Sequence, residues 1–347
     1  MTTVNHVGVI GSGSFGTAVA NLLAENGEVL MYARRGEIVD EINAKHTAEG
    51  VFLNEKIHAT NSFQELCEKC LLIFPTIPSS SFREVMKQCA PFLQPDHIMI
   101  HTTKGLDLLK EIDVKSEIKT NIDKEDICTM SQLIRDETVV IRVGCLSGPN
   151  LAGEINAHQP AAATIASQFD EVINQGRKAI RSHRFQVYGS HNLIGVEIAG
   201  VLKNAMAIAA GALSGMGYGE NVKAFLITKG LSEMIRLAKK LGGDVDAFLG
   251  LAGIGDLVAT CSSPHSRNFT IGFRLAKGES LQQILDTTTE VAEGVKTVLI
   301  AKELADHYKI RVPIIHTLHE ILYNHVTPQE GLKYLMLHPF DVDVDYL

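Results

Sequence analysis

The chain has no surplus of positive charge: 32 Lys and Arg face 40 Asp and Glu over 347 residues, a net charge of −8. That balance offers nucleic acid no global attraction, and no nucleic-acid partner is expected. An anionic substrate must instead meet a local cluster of Lys and Arg. Long apolar stretches near the start are missing too. The first run, Val7–Ile10, is far below the roughly 20 residues that cross a bilayer. No basic segment precedes it, so neither a signal peptide nor a membrane anchor is expected. Cysteine is sparse: six residues, Cys67, Cys70, Cys89, Cys128, Cys145 and Cys261, are scattered over the chain. That usage predicts free thiols in the cytoplasm and not a disulfide framework. Cys67 and Cys70 have C-x-x-C spacing, yet no second pair accompanies them. They read as two positions on an amphipathic helix, and no metal site is expected, since the 14 histidines show no ligand spacing either. Internal repeats and low-complexity tracts are absent.

What is present is apolar material for more than one core. Hydrophobic residues make up 45% of a chain long enough for two domains. Short apolar runs read as strands at Val7–Ile10, Glu28–Ala33, Leu71–Pro75, His97–Thr102, Val139–Leu146 and Ala161–Ala166. Helical patterns between them, such as Gly16–Asn26, predict βαβ crossovers and a mostly parallel sheet. The polar stretch Asp107–Glu137 reads as an exposed excursion with one or two short helices. Beyond about Ser190 strand signals fade, and helices are expected at His191–Gly211, Lys223–Leu241, Leu281–Leu285, Val295–Asp306 and Thr317–Asn324. The fold class is therefore α/β: an N-terminal doubly wound, mostly parallel sheet over residues 1–190, then an all-helical domain over 191–347. A site in the cleft between two such domains is the expectation.

Gly11-Ser12-Gly13-Ser14-Phe15-Gly16 fits G-x-G-x-x-G, a weak pattern alone. Here it follows a strand and opens a helix, the context a dinucleotide requires. Gly11 permits the tight turn, Gly13 lets the backbone approach a pyrophosphate, and Gly16 allows close helix–strand packing. The phosphates would rest on main-chain N–H groups at the positive end of the helix dipole. An NAD-selective site places Asp or Glu after the second strand, whereas this chain has Tyr32-Ala33-Arg34-Arg35. The two arginines can fork onto a 2′-phosphate, so NADP is favoured over NAD; two solvated arginines are the competing reading.

Further along, Lys104 follows the strand ending at Thr102, where residues face a ligand crevice, although a surface lysine would look the same. Gly148 and Asn150 form part of a Ser-Gly-Pro-Asn turn after another strand. The sharpest signal is Lys203-Asn204 inside GVEIAGVLKNAMAIAAGAL, a helix apolar on nearly every face. Such a lysine either snorkels or is buried for a purpose. Burial lowers an ammonium pKa toward the range useful for proton exchange, and carbonyl reduction needs a group to protonate the alkoxide. Asp256, between Gly255 and Leu257, can orient such an ammonium or merely cap a turn. Ser266-Arg267-Asn268 opens a helix and suits a phosphate through backbone donors, dipole and guanidinium; Ser266 as a plain N-cap competes.

In order, these segments resemble the bacterial NAD(P)-dependent glycerol-3-phosphate dehydrogenase family: GSGSFGTAVA, TKG, LSGPN, GVLKNAMAIAAGALSGMGYGEN and LAGIGDLVATCSSPHSRN. The similarity covers essentially the whole chain. It implies a Rossmann-like domain and a helical domain, in a homodimer that supplies sn-glycerol 3-phosphate from dihydroxyacetone phosphate for phospholipid synthesis. It implies Lys203 as proton donor and acceptor. Substrate contacts are implied at Lys104, Gly148, Asn150, Asp256, Ser266, Arg267 and Asn268, with Asn204 beside the lysine. Cofactor contacts are implied at Ser14, Phe15, Arg34, Arg35, Lys104, Ala152, Arg267, Val291 and Glu293, alongside the Gly11–Gly16 turn. Ala205, Ser214 and Asn150 depart from the family's usual residues. Rival readings are a hydroxyacid or ketopantoate dehydrogenase, a nucleotide-sugar dehydrogenase using Cys261, and a non-catalytic NADP sensor.

Overall fold

The computed structural model describes residues 6–109, 124–264, 266–288, 293–338 and 342–343. It divides into two compact units, Met1–Asp107 with Thr129–Leu193 and Leu108–Cys128 with Ile194–Leu347.

The strands in chain order are β1 (Val7–Ile10), β2 (Val29–Tyr32), β3 (Thr47–Ala48), β4 (Val51–Phe52), β5 (Ile57–Thr60), β6 (Leu72–Pro75), β7 (Ile98–His101), β8 (Asp107–Leu108), β9 (Ile127–Cys128), β10 (Arg142–Ser147), β11 (Ala161–Ser167) and β12 (Phe185–Ser190). Eight of them form one sheet, in the order β12-β11-β10-β7-β6-β1-β2-β5. Every pairing is parallel except β10 with β11. Reading outward from β1, the first six strands of the sheet follow the 3-2-1-4-5-6 order of a dinucleotide-binding fold. The order reverses between β1 and β6, and the crevice at the carboxyl ends of those strands is where such folds take a ligand.

Central strands are buried on both faces, so they read as continuous apolar runs; Val9, Ile73, Phe74, Met99 and Ile100 are fully buried. The first unit's helices are α1 (Ser14–Ala24), α2 (Gly36–Lys45), α3 (Phe63–Lys69), α4 (Ser79–Cys89), α5 (Met130–Glu137), α6 (Ala152–Asn156) and α7 (Asp170–Ile180). Two edge strands, β5 and β12, escape a search for apolar runs because their residues alternate between buried and more exposed. The expected exposed excursion at Asp107–Glu137 needs correcting at its end. Helix α5 buries Met130, Leu133 and Ile134, a helical spacing hidden among charges, and Arg83 ties Asp107 to Glu137. Residues 110–123 of that stretch lie outside the described residues.

The second unit is helical: α8 (Leu193–Gly215), α9 (Glu220–Leu241), α10 (Asp246–Leu249), α11 (Asp256–Ser262), α12 (Arg267–Ala276), α13 (Leu281–Thr287), α14 (Glu293–Tyr308), α15 (Pro313–Tyr323) and α16 (Pro328–Leu337). Helix α8 is long and apolar enough to cross a membrane, but 94% of that window is buried inside the protein, as in a core helix. Its small residues permit main-chain contact. A Cβ on Gly211 would lie 1.9 Å from the Phe269 carbonyl oxygen of α12, and one on Gly272 would lie 1.8 Å from the Ile208 carbonyl oxygen of α8. Fully buried Glu233 on α9 accepts the Ile314 and Ile315 N–H groups at 2.7 and 3.1 Å. It thereby satisfies donors that the first turn of α15 leaves orphaned.

All six cysteines are buried, and none is joined in a disulfide. Cys67 meets Cys89 at 3.6 Å between sulfurs, a packing contact between α3 and α4.

Candidate active site

The turn after β1 is built by exclusion of side chains. Gly11 has φ +116°, a conformation an L side chain resists, and its N–H donates to Tyr32 O at 3.0 Å. A Cβ on Gly16 would sit 2.1 Å from the Gly11 carbonyl oxygen, so α1 can start this close to β1 only with glycine there. Gly13, by contrast, has nothing within 4 Å of where its Cβ would be. Gly13 and Ser14 are exposed at the start of α1, Ser12 is half-buried, and Phe15 packs its ring against the sheet core. An open main chain at a helix N-terminus is the cradle a pyrophosphate needs, and these residues fit a dinucleotide.

Arg34 and Arg35 are both exposed beyond β2, and Arg35 is the N-cap residue of α2. Tyr32 stacks on Phe63 at 3.8 Å between ring centroids. Burial raises the Tyr32 phenol pKa, and the nearby Arg34 charge opposes the rise. Lys104 is half-buried and donates to the Gly148 carbonyl at 3.2 Å, so two positions expected at the site are neighbours. Gly148 has φ +154°, and a Cβ there would meet the β11 main chain at 3.0 Å. Asn150, with its amide nitrogen toward β11, donates to the Ala162 and Pro149 carbonyls at 3.2 Å. Ala152 opens α6 and packs against the sheet core.

In the second unit, Lys203 is only 5% exposed and Asp256 2%. The Lys203 ammonium donates to the Asp256 carboxylate and, at 2.7 Å, to the Thr260 hydroxyl. Thr260 in turn donates to the Asp256 carbonyl at 2.7 Å, the i to i+4 bond of a threonine inside a helix. Asp256 can face the lysine because a π-helical turn over Leu251–Gly255 leads into α11. Extra residues in such turns redirect the side chains that follow. Cys261 neighbours this pair. Its burial pushes the thiol up to about 12, the Lys203 charge opposing and the Asp256 charge adding. Burial thus works against the thiolate on which a nucleotide-sugar dehydrogenase would depend.

Asn204, next to Lys203, is also buried. Ser266 caps α12 by accepting from Phe269 N at 3.4 Å, so the plain N-cap role is the one observed. Arg267 is exposed on the first turn, and Asn268 accepts from Gly294 N at 3.1 Å. A Cβ on Gly294 would lie 2.4 Å from the Asn268 side-chain oxygen and 3.0 Å from the Asn204 carbonyl oxygen. Gly294 thus seats the start of α14, and with it Glu293, against both asparagines. Val291 lies outside the described residues.

The family description "NAD-dependent glycerol-3-phosphate dehydrogenase N-terminus" matches residues 6–173, and its C-terminal counterpart matches residues 192–333. The chain belongs to the NAD-dependent glycerol-3-phosphate dehydrogenase family. It is an NAD(P)-dependent oxidoreductase by that membership. It is 37% identical to the glycerol-3-phosphate dehydrogenase [NAD(P)+] of Pseudomonas paraeruginosa, across 100% of this chain and 98% of that one. The enzyme of the same name from Teredinibacter turnerae is 38% identical, over 99% and 98% of the two chains. The solved glycerol-3-phosphate dehydrogenase of Coxiella burnetii superposes with a TM-score of 0.83 at 29% identity, covering 96% of this chain and 99% of its own.

Three residues that sequence reasoning passed over take part in these arrangements: Thr76, Thr260 and Gly294. Thr260 carried a signal, since it lies four residues after Asp256 and so one helical turn away. Gly294 directly follows Glu293, but nothing local shows that it touches Asn268. Thr76 follows β6, and its hydroxyl lies 3.3 Å from the Gly11 carbonyl oxygen, a closeness that only the strand order creates.

Proposed function

We propose that the chain reduces dihydroxyacetone phosphate to sn-glycerol 3-phosphate, with NADP favoured over NAD, as a cytoplasmic homodimer feeding glycerophospholipid synthesis. Neither nucleic acid nor membrane insertion enters this reading. The observation that carries it is the buried ammonium of Lys203, held by Asp256 and Thr260, in a chain whose glycine turn fits a dinucleotide.

Residues 1–190 take the cofactor in this reading: the Gly11–Gly16 turn receives the pyrophosphate, and Arg34 and Arg35 the 2′ end. Residues 191–347 take the substrate. Bound NAD(P)H supplies the hydride for the ketone carbon. Lys203 provides the proton to the oxygen that becomes an alkoxide, and Asp256 fixes the direction in which the ammonium points. The pairing suits this task because an adjacent carboxylate favours the protonated amine, the form able to give a proton. Arg267, Asn268 and the start of α12 grip the phosphate. A remote anion held this way orients the reacting carbon, an effect that reaches several kcal/mol. Lys104 and Asn150 complete the polar contacts, and Ala152, Glu293 and Val291 belong with the cofactor.

The test is the initial rate of NADPH and of NADH oxidation with dihydroxyacetone phosphate, set beside ketopantoate and short β-keto acids. The phosphate ester should be the preferred substrate. Lys203→Ala should lower turnover by about three orders of magnitude or more, as loss of general acid–base catalysis does, with nucleotide affinity nearly intact. A variant with ordinary turnover would remove Lys203 from the reaction.

A further inference from the structure

The dinucleotide turn has a brace from a neighbouring strand. Thr76, directly after β6, donates its main-chain N–H to the Ile10 carbonyl at 2.8 Å. Its single hydroxyl proton is shared between the same carbonyl at 2.9 Å and, as the longer arm, the Gly11 carbonyl at 3.3 Å. Among the described residues no other donor reaches the Gly11 carbonyl. That oxygen sits in a narrow space, since a Cβ on Gly16 would be 2.1 Å from it and 2.8 Å from the Thr76 hydroxyl. The brace continues through the next strand end, where the Thr103 hydroxyl donates to the Ile77 carbonyl at 2.6 Å.

We infer that Thr76 is a positioning residue for the nucleotide-binding turn. A carbonyl carries partial negative charge, and a pyrophosphate needs main-chain N–H groups facing it with carbonyls turned elsewhere. With φ at +116°, Gly11 has the freedom that lets a turn open and close. The Thr76 hydroxyl removes that freedom by fixing the Gly11 oxygen against Gly16. It thereby holds the N–H groups at the start of α1 available to the phosphates. The brace touches the turn and not the Arg34–Arg35 end, so it serves NAD and NADP alike.

This inference rests on nucleotide binding by the glycine turn, so direct titration is the test. The chain has no tryptophan, which leaves the emission of NADPH or NADH as a clean reporter of binding. Thr76→Val removes the hydroxyl at nearly constant volume. It should raise the Kd of both nucleotides by the same factor, about five-fold, the value of one net hydrogen bond. Thr76→Ser should stay within about two-fold of the parent, and kcat at saturating nucleotide should be unchanged in both. A brace that merely stabilised the fold would lower the fraction of active protein and leave Kd alone. An unchanged Kd in Thr76→Val overturns the inference, as does a loss confined to one nucleotide or a fall in kcat with Kd intact. Should the valine variant fail to fold, Thr76→Ala carries the same expectation. A parent protein that binds neither nucleotide sinks this inference together with the dehydrogenase reading. Parental binding with an indifferent Thr76→Val sinks this inference alone.

Discussion

A lysine buried as deeply as Lys203 needs a counter-charge, and Asp256 is almost as buried. Removing one partner strands the other without water, which costs about 3–5 kcal/mol, whereas replacing both with apolar groups is often close to neutral. Asp256→Ala should therefore lower the free energy of urea unfolding by about 3 kcal/mol, and Lys203→Met combined with Asp256→Ala should recover most of it. Additive losses in that pair of measurements would mean that the two groups do not depend on one another. Arg34 belongs to a different balance. A charge-assisted hydrogen bond contributes about 1.5–3 kcal/mol, so Arg34→Ala should weaken NADPH binding by about ten-fold or more and leave NADH within about two-fold. Equal losses for both nucleotides would mean that Arg34 does not read the 2′ position. At this scale the sequence was informative wherever a residue contradicted its surroundings. Lysine in an oily helix announced itself, as did glycines at a strand end. Thr260 and Thr76 did not, because threonine is unremarkable in a helix or after a strand and gains its role only from what lies opposite.

Helices α8 and α12 show how packing can override local preference. Alanine is a better helix former than glycine by about 1 kcal/mol, so Gly211→Ala and Gly272→Ala would stabilise an isolated helix. In this unit each added methyl would fall within 2 Å of a carbonyl oxygen on the facing helix. Overpacking of that kind costs about 1–3 kcal/mol and sometimes more, with backbone here unable to rotate aside as a side chain would. Each variant should lose about 2 kcal/mol of stability, read from thermal or urea unfolding; a gain would show that the helices separate freely. Elements were legible in proportion to how uniformly they are buried. The central strands and α8 appear as apolar runs, while the edge strands β5 and β12 slip past, and α5, expected only as a short exposed helix, hides its buried face among charges. The π-helical turn before Asp256 has no signature beyond its glycines, so the direction of that carboxylate was open until the turn was seen.

For the molecule as a whole, a net charge of −8 opposes an anionic substrate at long range, whereas on the proposed reading exposed cations such as Arg267 attract it at short range. Screening separates the two: the Debye length is about 10 Å at 0.1 M salt, so distant charges fade first. If local cations govern capture, kcat/KM for dihydroxyacetone phosphate should fall steadily as ionic strength rises from about 0.05 to 0.5 M. A rise would assign control to the overall charge. The change from a parallel sheet to a helical region was readable from the disappearance of strand signals after about Ser190, since sheet and helical cores demand different periodicities, but nothing local showed that Leu108–Cys128 groups with the second unit. The order of the strands was not readable, because pairing across the sheet leaves no local trace. The seam between α8 and α12 has one more implication. Lys203 lies two helical turns before Gly211, and Asn268 one turn before Gly272. Where two backbones touch with no side chain interposed, their separation is a matter of atomic radii. Drift in the surrounding hydrophobic residues can resize the core without lengthening the span from the Lys203 amine to Asn268, so on the proposed reading the distance between the proton donor and the phosphate grip is inherited with those two glycines.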